Sequence, residues 1–263
     1  MSEKVFEFRD LFLEVKNNDK NIKSNYVRLL DGVSSKFVSG EITAVMGASG
    51  SGKSTLFDML LGRVSSDSKS YGTILYNNQE RNAYDWIRKV AYLRQDDIYF
   101  EKFTILESIM FDLDFYQPFK SNKEKLNFAE ILLKRSSIYE KRNAYISSLS
   151  GGERKRAMIA RSMCSDPKII FMDEPTSGLD SHSALTLINF LKDFAKEHDK
   201  LVIISVHQPG EALFNLFDNI LYLENGTVFY YGKIKDIPEW LVKNNLPKPE
   251  GMSLAEFLFE LLS

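Results

Sequence analysis

Three short apolar runs, Ile42 to Met46, Ile169 to Met172 and Leu201 to Val206, are rich in β-branched residues, and each ends in polar positions. Runs of this length and composition predict central strands buried on both faces. Strand patterns alternate with helical apolar spacing along the chain, which predicts an α/β fold with a largely parallel sheet. From about Thr104 to Cys164 the strand-like runs stop. Helical spacing takes over, with Leu126, Ala129, Ile131, Leu132 and Leu133 following the cap candidates Ser121 and Asn122. That stretch reads as a helical lobe inserted into the α/β core. The polar stretches Lys16 to Asn25 and Ser65 to Ser70 read as surface loops, and the sequence shows no internal repeat.

Composition narrows the picture. At 263 residues and 44% hydrophobic, the chain can bury a sizeable core, as one large domain or two lobes. A formal net charge of -2 provides no global basic field, so a nucleic-acid partner is not expected. Cys164 is the one cysteine and cannot form an internal disulfide, and MSEKVFEFRD carries charges where a secretory leader needs an apolar run. No stretch reaches the roughly 18 to 20 apolar residues of a membrane span. A cytosolic environment and no bilayer crossing by this chain are expected.

Ligands of open parallel sheets gather at the carboxyl ends of the strands, where the polar residues lie. The first run enters GASGSGKST, Gly47 to Thr55, and then LFDMLLG with helical spacing. Strand, glycine-rich turn and helix together give a P-loop. Gly47, Gly50 and Gly52 let backbone N–H groups turn inward around an anion, with Ala48, Ser49 and Ser51 between them. Lys53 would reach the β- and γ-phosphates, and the Ser54 hydroxyl, followed by Thr55, would meet Mg²⁺. The second run delivers Asp173 and Glu174, adjacent carboxylates that need a compensating cation. Asp173 is placed to hold Mg²⁺ through water and Glu174 to polarise the attacking water. Asp-Glu-Pro is also a common helix start, and that reading stands beside the catalytic one. The third run ends at His207, whose neutral ring could donate to the γ-phosphate or to the water. His182, near a helix start, and His198, in a charged segment, read as structural.

These motifs together resemble the nucleotide-binding domain of ABC ATPases, over nearly the whole chain. Their order carries the likeness: Walker A at Gly47 to Ser54, a Q-loop in YLRQDD, the signature LSGGE at Leu149 to Glu153, Walker B ending at Asp173, SGLD at Ser177 to Asp180, and His207. The resemblance implies a P-loop NTPase core flanked by helices, an N-terminal antiparallel β portion and an inserted helical subdomain. It implies ATP and Mg²⁺ as cofactors, Glu174 as catalytic base, His207 as switch histidine, and Gln95 as a further catalytic and metal-contacting residue. In that family Ser150, Gly151, Gly152 and Glu153 serve the ATP on a second nucleotide-binding domain, and Asp180 lies in the D-loop. Ser150 as an ordinary N-cap, followed by a flexible turn, is the alternative. Arg154, Lys155 and Arg156 read as solvent-facing or paired between lobes. Tyr26 is the nearby aromatic for stacking the adenine, and it could equally be a surface strand residue.

Glu153 replaces the usual glutamine, and with RKR after it, QDD after the strand and SVHQP around the histidine, the chain is similar to the G subfamily of half-transporters. The expected organisation is an ATP-binding core with its β subdomain at 1–95 and 165–235 and a helical signature subdomain at 96–164. A segment at 236–263, GMSLAEFLFELLS included, would lead to a membrane domain. The implied location is the cytoplasmic face of a membrane. Two other functions stay open. One is a soluble ABC ATPase acting in translation, DNA repair or chromosome organisation, although neither paired domains nor long heptad coiled coils occur. The other is a module that holds ATP uncleaved, although Glu174 and His207 match the hydrolysing pattern.

Overall fold

Apolar runs that look continuous in the sequence sort residue by residue into two cores. Ala44, Ile170, Met172, Val202 and Ile204 join one cluster, whereas Val45, Ile169, Phe171, Leu201 and Ile203 join the other. This is the period of two expected of a sheet covered on both faces. The structure, a computed structural model, describes residues 4–17, 25–94 and 100–261.

In chain order the strands are β1 (Val5–Lys16), β2 (Tyr26–Val38), β3 (Ile42–Met46), β4 (Lys69–Tyr76), β5 (Gln79–Glu80), β6 (Val90–Leu93), β7 (Ile169–Met172), β8 (Leu201–Ser205), β9 (Asn219–Glu224) and β10 (Thr227–Lys233). The helices are α1 (Lys53–Leu61), α2 (Ala83–Lys89), α3 (Ile105–Tyr116), α4 (Asn122–Arg135), α5 (Gly151–Ser162), α6 (Ser181–His198), α7 (Glu211–Phe214), α8 (Ile237–Lys243) and α9 (Leu254–Glu260). A six-stranded sheet has the order β10-β9-β3-β8-β7-β6, parallel except where β10 returns along β9. A four-stranded antiparallel sheet, β2-β1-β4-β5, covers one of its faces. Aromatic packing joins the two layers: Phe6 of β1 lies 5.1 Å from Trp86 and 6.2 Å from Phe171 of β7, ring centre to ring centre. Helices α3 to α9 contribute to the core on the other face.

Two local expectations change. In α4 the buried stripe is Lys125, Ala129, Leu132 and Leu133, whereas Leu126 and Ile131 are exposed. Helical spacing puts residues 125, 129 and 132 on one face, and Lys125 can take the inner position because its Nζ reaches Asp114 at 2.7 Å. Lys69 and Ser70 are strand rather than loop, because they pair with Glu14 and Leu13 of β1. Lys16 likewise ends β1, opposite Tyr26.

Candidate active site

The loop between β3 and α1 stands on the β9–β10 hairpin. A Cβ at Gly47 would lie 2.3 Å from the Leu223 carbonyl oxygen and 2.4 Å from Ser51 Oγ, so only glycine fits there. Gly52 precedes α1 at φ 105° and gives that helix no side-chain cap. The other long helices α3, α4, α5 and α6 are each capped by a side chain, from Thr104, Ser121, Ser150 and Asp180. The N–H groups opening α1 therefore face the loop without a side-chain acceptor, at the positive end of a helix dipole. Ala48, Ser49 and Gly50 form the tip of the loop, and Thr55 is half-buried in the first turn of α1. Lys53 is 8% exposed and donates to the Gly47 and Ala48 carbonyls at 2.8 and 2.9 Å. Burial pulls its ammonium below the usual lysine value, opposed by the nearby Glu174 and Asp173 carboxylates.

Strand order brings the carboxylates to this loop. Asp173 leaves the end of β7 between β6 and β8, and hydroxyls from both neighbours hold it. Ser205 donates to Asp173 Oδ1, Tyr92 donates to Oδ2 at 3.2 Å, and Ser54 of α1 approaches the same oxygen at 3.4 Å. Burial, reinforced by Asp173, pushes the Tyr92 phenol well above its ordinary value, so it remains a donor at neutral pH. Ser205 also accepts the Glu174 N–H at 2.9 Å. Glu174 has φ 46°, a left-handed conformation that costs a residue with a Cβ about 1–2 kcal/mol. Glu174 and His207 line one cleft of ≈ 440 Å³ together with Ser177 and Leu179. The His207 ring lies 6.2 Å from that of Phe259 in α9.

Ser205 and Tyr92 were not among the residues singled out from the sequence. Ser205 stands two residues before His207 and Tyr92 three before Gln95, so each lies at a strand end beside a motif. Ser205→Ala is expected to leave the Glu174 N–H without its acceptor and Asp173 without one donor. The expected loss is about 1–3 kcal/mol of stability, measured by urea unfolding. A change below about 0.5 kcal/mol, the size usual for uninvolved positions, would show that Ser205 does not hold this corner.

The signature residues have local work of their own. Ser150 and Glu153 form a reciprocal capping box, the Ser150 N–H donating to Glu153 at 2.9 Å and the Glu153 N–H to Ser150 Oγ at 3.3 Å. The atoms within 4 Å of a Cβ built at Gly151 belong to Gly178 and Leu179. The signature therefore lies beside the D-loop of its own chain, whose Asp180 accepts the Ser183 N–H at 3.0 Å and caps α6. Arg154, Lys155 and Arg156 are half-buried, and Arg154 donates to the Leu149 carbonyl at 3.2 Å. Tyr26 opens β2 with Lys69 Nζ 3.9 Å from its ring centre. It lies three residues, about 10 Å of extended chain, before Leu29, whose carbonyl oxygen would be 3.3 Å from a Cβ at Gly52. Gln95 lies outside the described residues.

A glycine-lined loop opening a helix, with a buried lysine and two carboxylates close to it at the same edge of a parallel sheet, defines a P-loop NTPase fold. The family model for the ABC transporter matches residues 30–177. ABC transporter G family member 2 of Arabidopsis thaliana is 36% identical over 93% of this chain and 33% of its own length. ABC transporter G family member 5 of Oryza sativa subsp. japonica is 34% identical over 98% and 35%. An ABC transporter-like protein of Encephalitozoon cuniculi (strain GB-M1) is 34% identical over 100% and 47%. The chain belongs to the ABC transporter family, as a nucleotide-binding domain similar to those of its G branch. It spans less than half the length of these relatives. Among the described residues no helix is long and apolar enough to cross a membrane.

Proposed function

We propose that this chain binds and hydrolyses ATP as the motor of a membrane transporter, with two copies closing around two ATP·Mg²⁺. The observation that carries the reading is the uncapped start of α1 behind a glycine-lined loop, with the buried Lys53 close to the Asp173 and Glu174 carboxylates. In this reading Gly47 to Thr55 hold the phosphates through N–H groups, and Lys53 neutralises them. Glu174 takes the proton of the attacking water, while His207 orients the γ-phosphate from across the cleft. Gln95 would complete the metal and water contacts, and Tyr26 would meet the base once Lys69 moves off its ring.

The donor set suits a magnesium ion. Ser54 and Asp173 offer hard oxygens side by side. Among the described residues no three acidic, histidine or cysteine side chains converge, so the ion would need oxygens from the nucleotide as well. When bound, Mg²⁺ would neutralise charge on the phosphate oxygens. The chain's own part is to keep Asp173 fixed, through Ser205 and Tyr92.

Ser150, Gly151, Gly152 and Glu153 would act on the ATP of a second domain, with Asp180 at the same interface. The division into an ATP-binding core at 1–95 and 165–235, a signature lobe at 96–164 and a connecting segment at 236–263 belongs to this proposal. So do a membrane part elsewhere in the longer protein and a place on the cytoplasmic face. The test is hydrolysis by the purified chain: ATP turnover should require Mg²⁺ and stop on chelation. Failure of the wild-type chain to bind ATP at millimolar concentration would overturn the reading.

A further inference from the structure

The turn between β9 and β10, Asn225 and Gly226, touches both the phosphate loop and the antiparallel sheet. Asn225 and Gly226 have φ of 46° and 75°, the two left-handed residues of a tight hairpin. The Gly226 N–H donates to the Ser51 carbonyl at 3.0 Å, and the Gly226 carbonyl accepts from the Asp31 N–H of β2 at 2.8 Å. One peptide unit on each side of a buried glycine therefore links Ser51, itself 4% exposed, to β2. The fit leaves no slack. A Cβ at Gly226 would lie 2.4 Å from the Leu29 carbonyl oxygen and 3.3 Å from Leu30 Cα. A Cβ at Gly52 would lie 3.6 Å from Gly226 Cα, so the two glycines pack backbone to backbone.

We infer that Gly226 is a positioning residue of the phosphate loop, fixing Ser51 and the start of α1 against β2. It lies outside the loop and acts through Ser51. The obstacle to a side chain is backbone on β2, which cannot swing aside as a side chain could. The turn would have to move away from β2, and the Ser51 carbonyl would have to follow it or lose its hydrogen bond. Either way the N–H groups that form the cradle lose their fixed directions, whereas Glu174 and Asp173, anchored from β6 and β8, keep theirs. The consequence falls on nucleotide affinity more than on the chemical step.

The test compares Gly226→Ala with Gly40→Ala in the same 263-residue chain. Gly40 has φ 79° and nothing within 4 Å of a built Cβ, so it carries like backbone strain without the contact to β2 or the loop. The first readout is hydrogen exchange of segment 47–54 without nucleotide. Gly226→Ala should speed it by about tenfold or more, and Gly40→Ala should leave it unchanged even though both lower Tm. In the wild type, peptides covering 47–54 and 224–228 should open in the same step under mild denaturant, a comparison that does not depend on either variant folding. The second readout rests on the ATP-binding reading: Gly226→Ala should raise KM for ATP about tenfold or more with a much smaller change in kcat. Equal exchange of 47–54 in the two variants, or independent opening of the two wild-type segments, would overturn the inference. Failure of the wild type to bind ATP would instead remove the function while leaving the exchange result to decide this assignment.

Discussion

Replacing Glu174 by Gln is expected to cut ATP turnover by about 10²–10⁴-fold, the range for loss of a general base, with ATP binding preserved. The separation of the two effects follows from how the residue is held. Its left-handed backbone and its N–H bond to Ser205 are main-chain features that an amide side chain leaves alone. The Lys53 cradle also stays intact, since Lys53 donates its hydrogen bonds to the Gly47 and Ala48 carbonyls rather than to Glu174. What changes is the ability to accept a proton. Nucleotide that binds without being consumed then favours whichever assembly binds it best, so the variant should shift to a dimer in ATP. The measurements are turnover with contaminating ATPase excluded and size-exclusion chromatography with and without ATP·Mg²⁺. Turnover at the wild-type rate would remove Glu174 from the role of base.

How much of this was readable in the sequence depended on whether the constraint is local. The phosphate loop was legible because its demands are written consecutively: a buried run, glycines where the backbone takes positive φ, a lysine and then a helical pattern. The Ser150 N-cap was equally local, and the Glu153 that completes its capping box in the structure stands only three positions on. The support of Asp173 was not, because Tyr92 and Ser205 reach it only once β6, β7 and β8 stand side by side. Strand order is a property of the folded sheet, and no spacing along the chain encodes it. The same holds for Gly226, whose reason for being glycine is a carbonyl on β2, roughly 200 positions earlier in the chain. In α4 the difficulty was one of degeneracy. An apolar-rich helix offers overlapping stripes, and the choice fell to the one whose lysine could reach Asp114.

The largest remaining effect concerns the signature, and its test must separate catalysis from capping. Ser150→Arg and Lys53→Ala should each be inactive, the first without its contribution to the partner's site and the second without the ammonium that neutralises the phosphates at its own site. Mixed together they should recover, because a heterodimer contains one site with both an intact loop and an intact signature. With random pairing about half the dimers are mixed and about half their sites are whole, so activity should approach about a quarter of wild type. The capping box complicates Ser150→Arg, since losing an N-cap serine costs about 0.5–2 kcal/mol on its own account. Ser150→Asp resolves this. Aspartate caps a helix as well as serine does and can accept the same Glu153 N–H, so stability should hold. A carboxylate aimed at a bound γ-phosphate would nevertheless repel it, and turnover should fall sharply. A stable Ser150→Asp protein hydrolysing ATP at the wild-type rate would show that Ser150 only caps α5, whatever the mixing experiment gave.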